Sequence, residues 1–160
     1  MLLGFQSRFV PFVLDGTKTH TIRAIRKNPP RVGEICHCYA NPRQRTMRLL
    51  GRWPCVAIEK ILIYERGDGT FGVVIEGEEL SIDEKDQLAC RDGFRSKRIH
   101  RGAFAIMMRY WMATHGNEKR TTGFDFEGQI IHWNWNVPAD ARKQQHGTKS
   151  RLSHNEHEGG

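Results

Sequence analysis

Apolar residues recur at every second position in several segments of the chain, which is the period that turns one face of a β-strand toward a core. This pattern predicts strands at residues 2–6, 18–25, 35–39, 55–64, 71–75 and 126–135. The segment at 55–64 carries four β-branched residues, which favour strands. A short helical turn at 8–14, closed by Gly16, separates the first two strands.

Two longer helices are predicted between the fifth strand and the last. Ser81 with Glu84 forms a capping box for a helix that runs to about residue 91 and stops at Gly93. Ser96 is a candidate cap for a second helix that ends near residue 114. Its apolar residues recur at steps of three and four and form a core-facing stripe that includes Ala103, Ile106, Met107, Tyr110 and Trp111. Short strands with two inserted helices predict an α+β fold: a small, mainly antiparallel β-barrel with helices packed on it.

Composition indicates one domain followed by a tail. The chain has 160 residues, of which 38% are hydrophobic, a size that suits a single core. After Trp135 the only sizeable aliphatic residues are Val137 and Leu152. We therefore expect a folded domain at 1–136 and a polar, disordered tail at 137–160.

Targeting signals and disulfides are not expected. No apolar run approaches the roughly 20 residues that span a bilayer, and the first residues lack the apolar core of a signal peptide. We therefore expect a soluble cytoplasmic protein with reduced cysteines and no membrane partner. Cys36 and Cys38 flank His37, but this spacing lacks the second ligand pair of a structural zinc site. Buried strand thiols are the preferred interpretation, and no metal or cofactor is expected.

The positive charge is concentrated in the first third of the chain. The formal net charge is +7, and residues 1–52 contain ten basic and only two acidic side chains. This imbalance points to an anionic partner such as single-stranded nucleic acid, although loop arginines are often simply solvated. Segment 41–52 is interpreted as a mobile loop, and Tyr39 and Trp53 are candidate base-stacking platforms. The predicted nucleic-acid contacts are Arg26, Lys27, Arg43, Arg45, Arg48 and Arg52.

The densest group of chemically active side chains is the run GTKTHTIR, which supplies hydroxyls, a lysine, a histidine and an arginine. In a regular strand Thr19, Thr21 and Arg23 share one face, and Lys18 and His20 share the other. Lys18 therefore meets Thr21 only if the chain turns near Lys18 before it becomes extended. The alternative is an ordinary polar strand edge.

The run also carries a resemblance to a known family. The segment LDGTKTHTIR, the turn at 32–34, the later LACRDGF and the closing FEGQIIHW together resemble the ASCH domain, and the ending is similar to that of phage and bacterial ASCH proteins. The resemblance covers most of residues 3–133. It implies a PUA-like β-barrel and a link to RNA.

Some compact bacterial members of this family are amidohydrolases of N4-acetylcytidine, and the resemblance implies their Lys, Thr and acidic trio at Lys18, Thr21 and Asp92. The lysine would accept the threonine proton, the threonine would attack the amide carbonyl, and the acid would protonate the departing amine. The acid here is Asp where those enzymes have Glu, and Asp-Gly is also ordinary turn chemistry. Substrate contacts are expected from Thr19, His20 and Arg23, the last as anchor or oxyanion donor.

Two other functions remain open at this point. One is a non-catalytic module that binds single-stranded RNA or DNA, and the other is a metal-independent ribonuclease. In the nuclease hypothesis, Lys18 and Arg23 stabilise a phosphorane while His20 or Asp92 transfers protons. The expected partner is a nucleoside or a single-stranded nucleic acid, with no obligatory protein partner.

Overall fold

The computed structural model describes residues 1–95, 102–115 and 124–136. The fold is α+β, with a mostly antiparallel sheet. The predicted tail at 137–160 and the predicted cap Ser96 lie outside the described residues. None of the helices in the described part of the chain is long and apolar enough to cross a membrane.

The described residues form seven strands and three α-helices. The strands are β1 (Leu2–Phe5), β2 (His20–Ala24), β3 (Ile35–Ala40), β4 (Arg48–Glu65), β5 (Phe71–Ile75), β6 (Glu78–Glu79) and β7 (Asp125–Trp133). The helices are α1 (Val10–Leu14), which follows a 3-10 turn at Ser7–Phe9, α2 (Ile82–Arg91) and α3 (Ala103–His115). The capping box of α2 forms as predicted, with Ser81 and Glu84 bonded to each other's backbone.

Strand β4 organises the sheet. Its first half pairs with β3, its second half pairs with β7 and β5, and β7 in turn pairs with β2. Strand β1 adds to β3 in parallel, so the path β1-β3-β4-β7-β2 has β1 and β2 at its ends. Side chains of β2 and the loop after it reach across to β1: the guanidinium of Arg23 donates to the Gly4 carbonyl, and that of Arg26 lies 3.4 Å from the Leu2 carbonyl.

The prediction of a mobile loop at 41–52 is wrong for its second half. Arg48 to Arg52 belong to β4, which has 18 residues where a short strand was expected. The pairing of β4 with β3 shifts register between Cys38 and Tyr39. A bulge of this kind breaks the two-residue alternation, and for that reason the hydrophobic pattern does not reveal the strand.

The core lies between the sheet and the helices, and α3 contributes to it on one face. Ala103, Met107 and Trp111 are buried, in agreement with the predicted stripe. Ile106 was assigned to the same stripe but is 39% exposed, so that part of the prediction is wrong. Three cysteines are buried in strands, as the thiol interpretation predicted, and they are Cys36, Cys38 and Cys55.

Candidate functional site

A buried pair of opposite charges joins the two ends of the proposed trio. Lys18 Nζ is hydrogen-bonded to Asp92 Oδ1 and also donates to the backbone carbonyl of Asp92, at 2.6 Å. The two residues are 74 positions apart in the chain, and they are only 2% and 5% exposed. Buried charges of this kind need a partner, because desolvation of an isolated ion is costly.

Lys18 enters the pocket from a turn and not from a strand. Strand β2 begins only at His20, so Lys18 lies in the turn that precedes the strand. A turn near Lys18 is the condition that strand geometry sets for Lys18 and Thr21 to approach each other. The turn is held by the Lys18 amide, which donates to the Phe12 carbonyl at 2.7 Å. Gly16, with φ +76°, allows the chain to reverse beneath the ring of Trp135, since a Cβ there would lie 2.8 Å from that ring.

The end of α2 places Asp92 opposite Lys18. Asp92 caps the helix, and the amides of Gly93 and Phe94 donate to the carbonyls of Cys90 and Ala89. This pair of bonds is a Schellman motif, in which the residue after the cap adopts a left-handed conformation. Gly93 has φ +93°, and a Cβ at this position would lie 2.9 Å from the ring of Phe9. The turn interpretation of Asp-Gly is therefore correct, and the same turn aims Asp92 into the interior.

Four of the predicted site residues line one pocket of about 280 Å³: Lys18, Thr21, Arg23 and Asp92. The rest of the wall is largely aromatic and comes from β1, the turn after it, the end of α2 and α3. Its aromatic members are Phe5, Phe9, Phe94, Tyr110 and Trp111. The volume is close to the lower limit of the roughly 300–1,000 Å³ of small-molecule sites, and a few polar groups on an apolar wall are typical of such sites.

Arg23 presents a free donor in this pocket. Its guanidinium is fixed by the Gly4 carbonyl of β1 and lies 5.7 Å from the centre of the Phe5 ring. Its Nε is buried and has no hydrogen-bond partner in the described part of the protein. A buried donor without a partner is costly, and a ligand oxygen would satisfy it.

Burial favours the neutral forms of the Lys18 and Asp92 pair. Desolvation lowers the pKa of Lys18, and the neighbouring Asp92 opposes this effect only in part. Desolvation likewise raises the pKa of Asp92 against the opposing pull of Lys18. Both shifts favour transfer of a proton from the Lys18 amine to the Asp92 carboxylate within the pair.

His20 lies behind the pair. Its Nε2 is 3.8 Å from Asp92 Oδ1. The ring centre of His20 is 5.4 Å from that of His132. The Nε2 of His132 is in turn 2.5 Å from Glu59 Oε2. Burial, with the Lys18 charge next in importance, lowers the pKa of His20 well below its ordinary value. His20 is therefore a neutral imidazole, and it is not among the residues that line the pocket.

Thr19 lies away from the other predicted substrate contacts. It borders a separate surface depression beside Trp133 and Trp135, and its carbonyl accepts a hydrogen bond from the Trp133 amide at 2.9 Å. The geometry therefore brings Arg23 to the pocket, places His20 behind it and leaves Thr19 outside.

The six predicted nucleic-acid contacts are exposed but do not share one surface of the sheet. Arg52 lies opposite His37 in the β3 and β4 ladder, whereas Arg48 lies opposite Ala40. Cross-strand partners project to the same side, and His37 and Ala40 are an odd number of positions apart, so Arg48 and Arg52 project from opposite faces. Trp53 is only 7% exposed, which makes its assignment as a stacking platform wrong.

The sequence did not reveal Arg8, which lies at the rim of the pocket beside its aromatic wall. The Arg8 guanidinium stacks over Tyr110, Phe9 and Phe94, at 3.9, 4.5 and 5.1 Å from their ring centres. An arginine next to a phenylalanine in a short turn gives no signal by itself, and the other two rings come from distant segments of the chain.

A larger groove, of about 1150 Å³, lies between β5, α2 and α3. Its central polar groups already have structural partners: Lys85 Nζ donates to the Phe71 carbonyl at 2.9 Å, and the Asp86 carboxylate accepts from the amides of Gly102 and Phe104 at 2.8 Å. Across the described ranges there is no cluster of three metal-ligating side chains. The smaller pocket is therefore the candidate site.

No protein-family model, curated protein or solved structure matches this chain.

Proposed function

We propose that the chain is an ASCH-domain amidohydrolase that removes the acyl group from an N4-acylated cytidine. The observation that carries the proposal is the convergence of Lys18, Thr21, Arg23 and Asp92 on one pocket, with Lys18 bonded to Asp92. These are the groups that the family resemblance implies. The aromatic wall suits a flat base, which stacks on such rings.

The first half of the proposed reaction uses Thr21 as the nucleophile. Its hydroxyl proton passes to the neutral amine of Lys18 as Oγ1 bonds to the amide carbonyl carbon. The bond from that carbon to N4 then breaks, and the protonated carboxyl of Asp92 gives its proton to the departing amine. The result is free cytidine, an acyl ester on Thr21, an ammonium on Lys18 and a carboxylate on Asp92.

Water completes the cycle. It attacks the ester carbonyl and gives a proton to the Asp92 carboxylate, while the Lys18 ammonium returns its proton to the Thr21 oxygen. The acid product leaves, and the neutral pair is restored. In both halves the unpartnered Nε of Arg23 is the donor for the developing oxyanion.

A PUA-like barrel is part of the same proposal. The path β1-β3-β4-β7-β2 has β1 and β2 at its ends, and the side chains of Arg23 and Arg26 link those ends through the carbonyls of Gly4 and Leu2. This arrangement supports a barrel whose final seam is made by side chains. The candidate pocket lies at that seam.

The test is hydrolysis of N4-acetylcytidine, followed by chromatography of the cytidine released. Near-isosteric changes keep the pocket filled, and each should lower kcat by at least about 100-fold, the usual contribution of a general acid or base. Exposed residues of the same types, outside the pocket, serve as matched controls. The test variants are Lys18→Met, Thr21→Val and Asp92→Asn, and the controls are Lys60→Met, Thr46→Val and Asp83→Asn.

A trapped intermediate strengthens the assay. Rapid quenching of the wild-type reaction should show the mass of one acetyl group on the peptide that contains Thr21, and Thr21→Val should lack it. Absence of product from the wild-type protein, or full activity in Thr21→Val, contradicts the proposal. Cleavage of labelled RNA in EDTA that Lys18→Met abolishes would favour the ribonuclease alternative, and salt-sensitive RNA binding without any cleavage would favour the binding module.

A further inference from the structure

The candidate pocket carries more positive than negative charge. Lys18 and Arg23 line it, and Asp92 is the one acidic side chain among its described lining residues. Whichever of the two holds the proton, the Lys18 and Asp92 pair is neutral as a whole. Among the described residues no carboxylate lies within ion-pair distance of the Arg23 guanidinium, and its bound neighbour is the neutral carbonyl of Gly4.

Arg8 adds a second cation at the rim. Its guanidinium lies 3.9 Å from the ring centre of Tyr110, a residue of the pocket wall, and 4.5 and 5.1 Å from those of Phe9 and Phe94. Within the described residues it has no ion pair and no hydrogen bond, so its N–H groups are free to bind a ligand. The three rings restrict its motion, which lowers the entropy lost on binding.

Arg26 adds a third cation, next to Arg23. The two guanidiniums meet carbonyls two residues apart on β1, because that of Arg23 donates to Gly4 and that of Arg26 lies 3.4 Å from Leu2. Two like charges along one strand repel each other, and a nearby anion offsets that repulsion. Arginine is also the side chain whose fork of donors matches the oxygens of a phosphate.

We propose that the ligand of this pocket is a mononucleotide, with the base inside against the aromatic wall and a phosphate monoester at the rim held by Arg8 and Arg26. This inference rests on the proposed function for the identity of the base, and it adds the phosphate. A longer nucleic acid fits less well, because the pocket has room for about one nucleoside and Arg48 and Arg52 point from opposite faces of the sheet. They form no continuous track for a backbone.

Calorimetry with cytidine, cytidine 5′-monophosphate and a cytidine trinucleotide tests the proposal without requiring turnover. The monophosphate should bind at least about tenfold more tightly than cytidine, a ratio that corresponds to about 1.4 kcal/mol. Arg8→Gln and Arg26→Gln should each reduce this ratio several-fold and leave the affinity for cytidine unchanged. Arg109→Gln, which alters an exposed arginine of α3 outside the pocket, is the control.

The outcomes separate the inference from the proposed function. Equal affinities for cytidine and its monophosphate, or a ratio that neither Arg8→Gln nor Arg26→Gln changes, overturn the mononucleotide. Tighter binding of the trinucleotide than of the monophosphate also overturns it, in favour of a nucleic acid. Preference for the monophosphate without hydrolysis of its N4-acetyl derivative upholds the ligand and refutes the amidohydrolase. Hydrolysis of N4-acetylcytidine together with equal affinities for cytidine and its monophosphate upholds the amidohydrolase and refutes the mononucleotide ligand.

Discussion

Lys18 and Asp92 are joined twice, through the carboxylate of Asp92 and through its backbone carbonyl. The carbonyl accepts a hydrogen bond whether or not the carboxyl group is protonated. The amine can therefore keep its position whichever of the two side chains holds the proton. One contact fixes the position of the amine, the other is the one that the proposed reaction uses, and both depend on the turn that ends α2.

The coupling between Lys18 and Asp92 can be measured from the free energies of unfolding of single and double variants. Removing one partner leaves the other buried without compensation, so Lys18→Met and Asp92→Asn should each lower the free energy of unfolding by about 3–5 kcal/mol. The double variant should lose less than the sum of the two, by about 1–3 kcal/mol. Urea denaturation of the four proteins gives the cycle.

Asp83→Asn is the control for that cycle, because Asp83 is exposed in the first turn of the same helix. It should cost less than about 1 kcal/mol. Strictly additive effects of Lys18→Met and Asp92→Asn would mean that the pair is not coupled.

The left-handed turn at Gly93 gives a second prediction. Gly93→Ala adds the cost of a Cβ at positive φ, about 1–2 kcal/mol, and also pushes that Cβ against the ring of Phe9. Gly77→Ala is a matched control, since Gly77 has φ +94° and a Cβ added there would meet nothing within 4 Å. We expect Gly93→Ala to be clearly the more destabilising change in urea denaturation, and equal losses would show that Phe9 moves aside freely.

Local signals in the sequence predicted most of the elements. The capping box of Ser81 and Glu84 and the stop at Gly93 place α2 within a residue of its observed bounds. The strand at 48–52 was missed because its arginines and a bulge interrupt the alternation, and because its pairing with β3 is not visible in the local sequence. Propensity is a weak guide where pairing decides the structure.

The candidate site likewise combines residues that the sequence predicted with one that only the folded structure reveals. The family resemblance named Lys18, Thr21 and Asp92 as a set, and the need for a turn near Lys18 followed from strand geometry alone. Arg8 was not found, because its position beside the pocket arises from rings that three separate segments bring together. Packing of that kind leaves no spacing rule in the chain.

Thiol reactivity offers a third prediction. Burial raises the pKa of Cys36 to about 12 and raises the pKa of Cys38 still further, so their thiolate forms are scarce at neutral pH. Cys90 on α2 is only half-buried. Iodoacetamide should label Cys90 first in the native protein and the strand cysteines only after unfolding, as read by peptide mass spectrometry. Rapid native labelling that persists in Cys90→Ser would contradict this order.

His20 predicts how stability depends on pH. Burial holds the pKa of His20 well below the ordinary value of 6.5, with Lys18, His132 and Arg91 adding repulsion and Asp92 the one carboxylate near its ring among the described residues. Between the lowered pKa of His20 in the folded protein and its ordinary pKa in the unfolded chain, the unfolded chain binds a proton that the folded protein does not. The free energy of unfolding should therefore fall as pH drops below about 6.5, by up to about 1.4 kcal/mol per pH unit from this residue.

Replacement of the imidazole isolates that contribution. His20→Gln should flatten the slope of the free energy of unfolding against pH between about pH 6.5 and 5, whatever its cost at about pH 7.5. His37→Gln is the control, since burial also lowers the pKa of His37 but its side chain is less deeply buried than that of His20. Because His20 lies 3.8 Å from the carboxyl that the proposed reaction uses, the same loss of stability should accompany acid inactivation of the proposed activity in the wild-type protein. An unchanged slope in His20→Gln would place the acid sensitivity elsewhere, with the Lys18 and Asp92 pair as the next group to titrate.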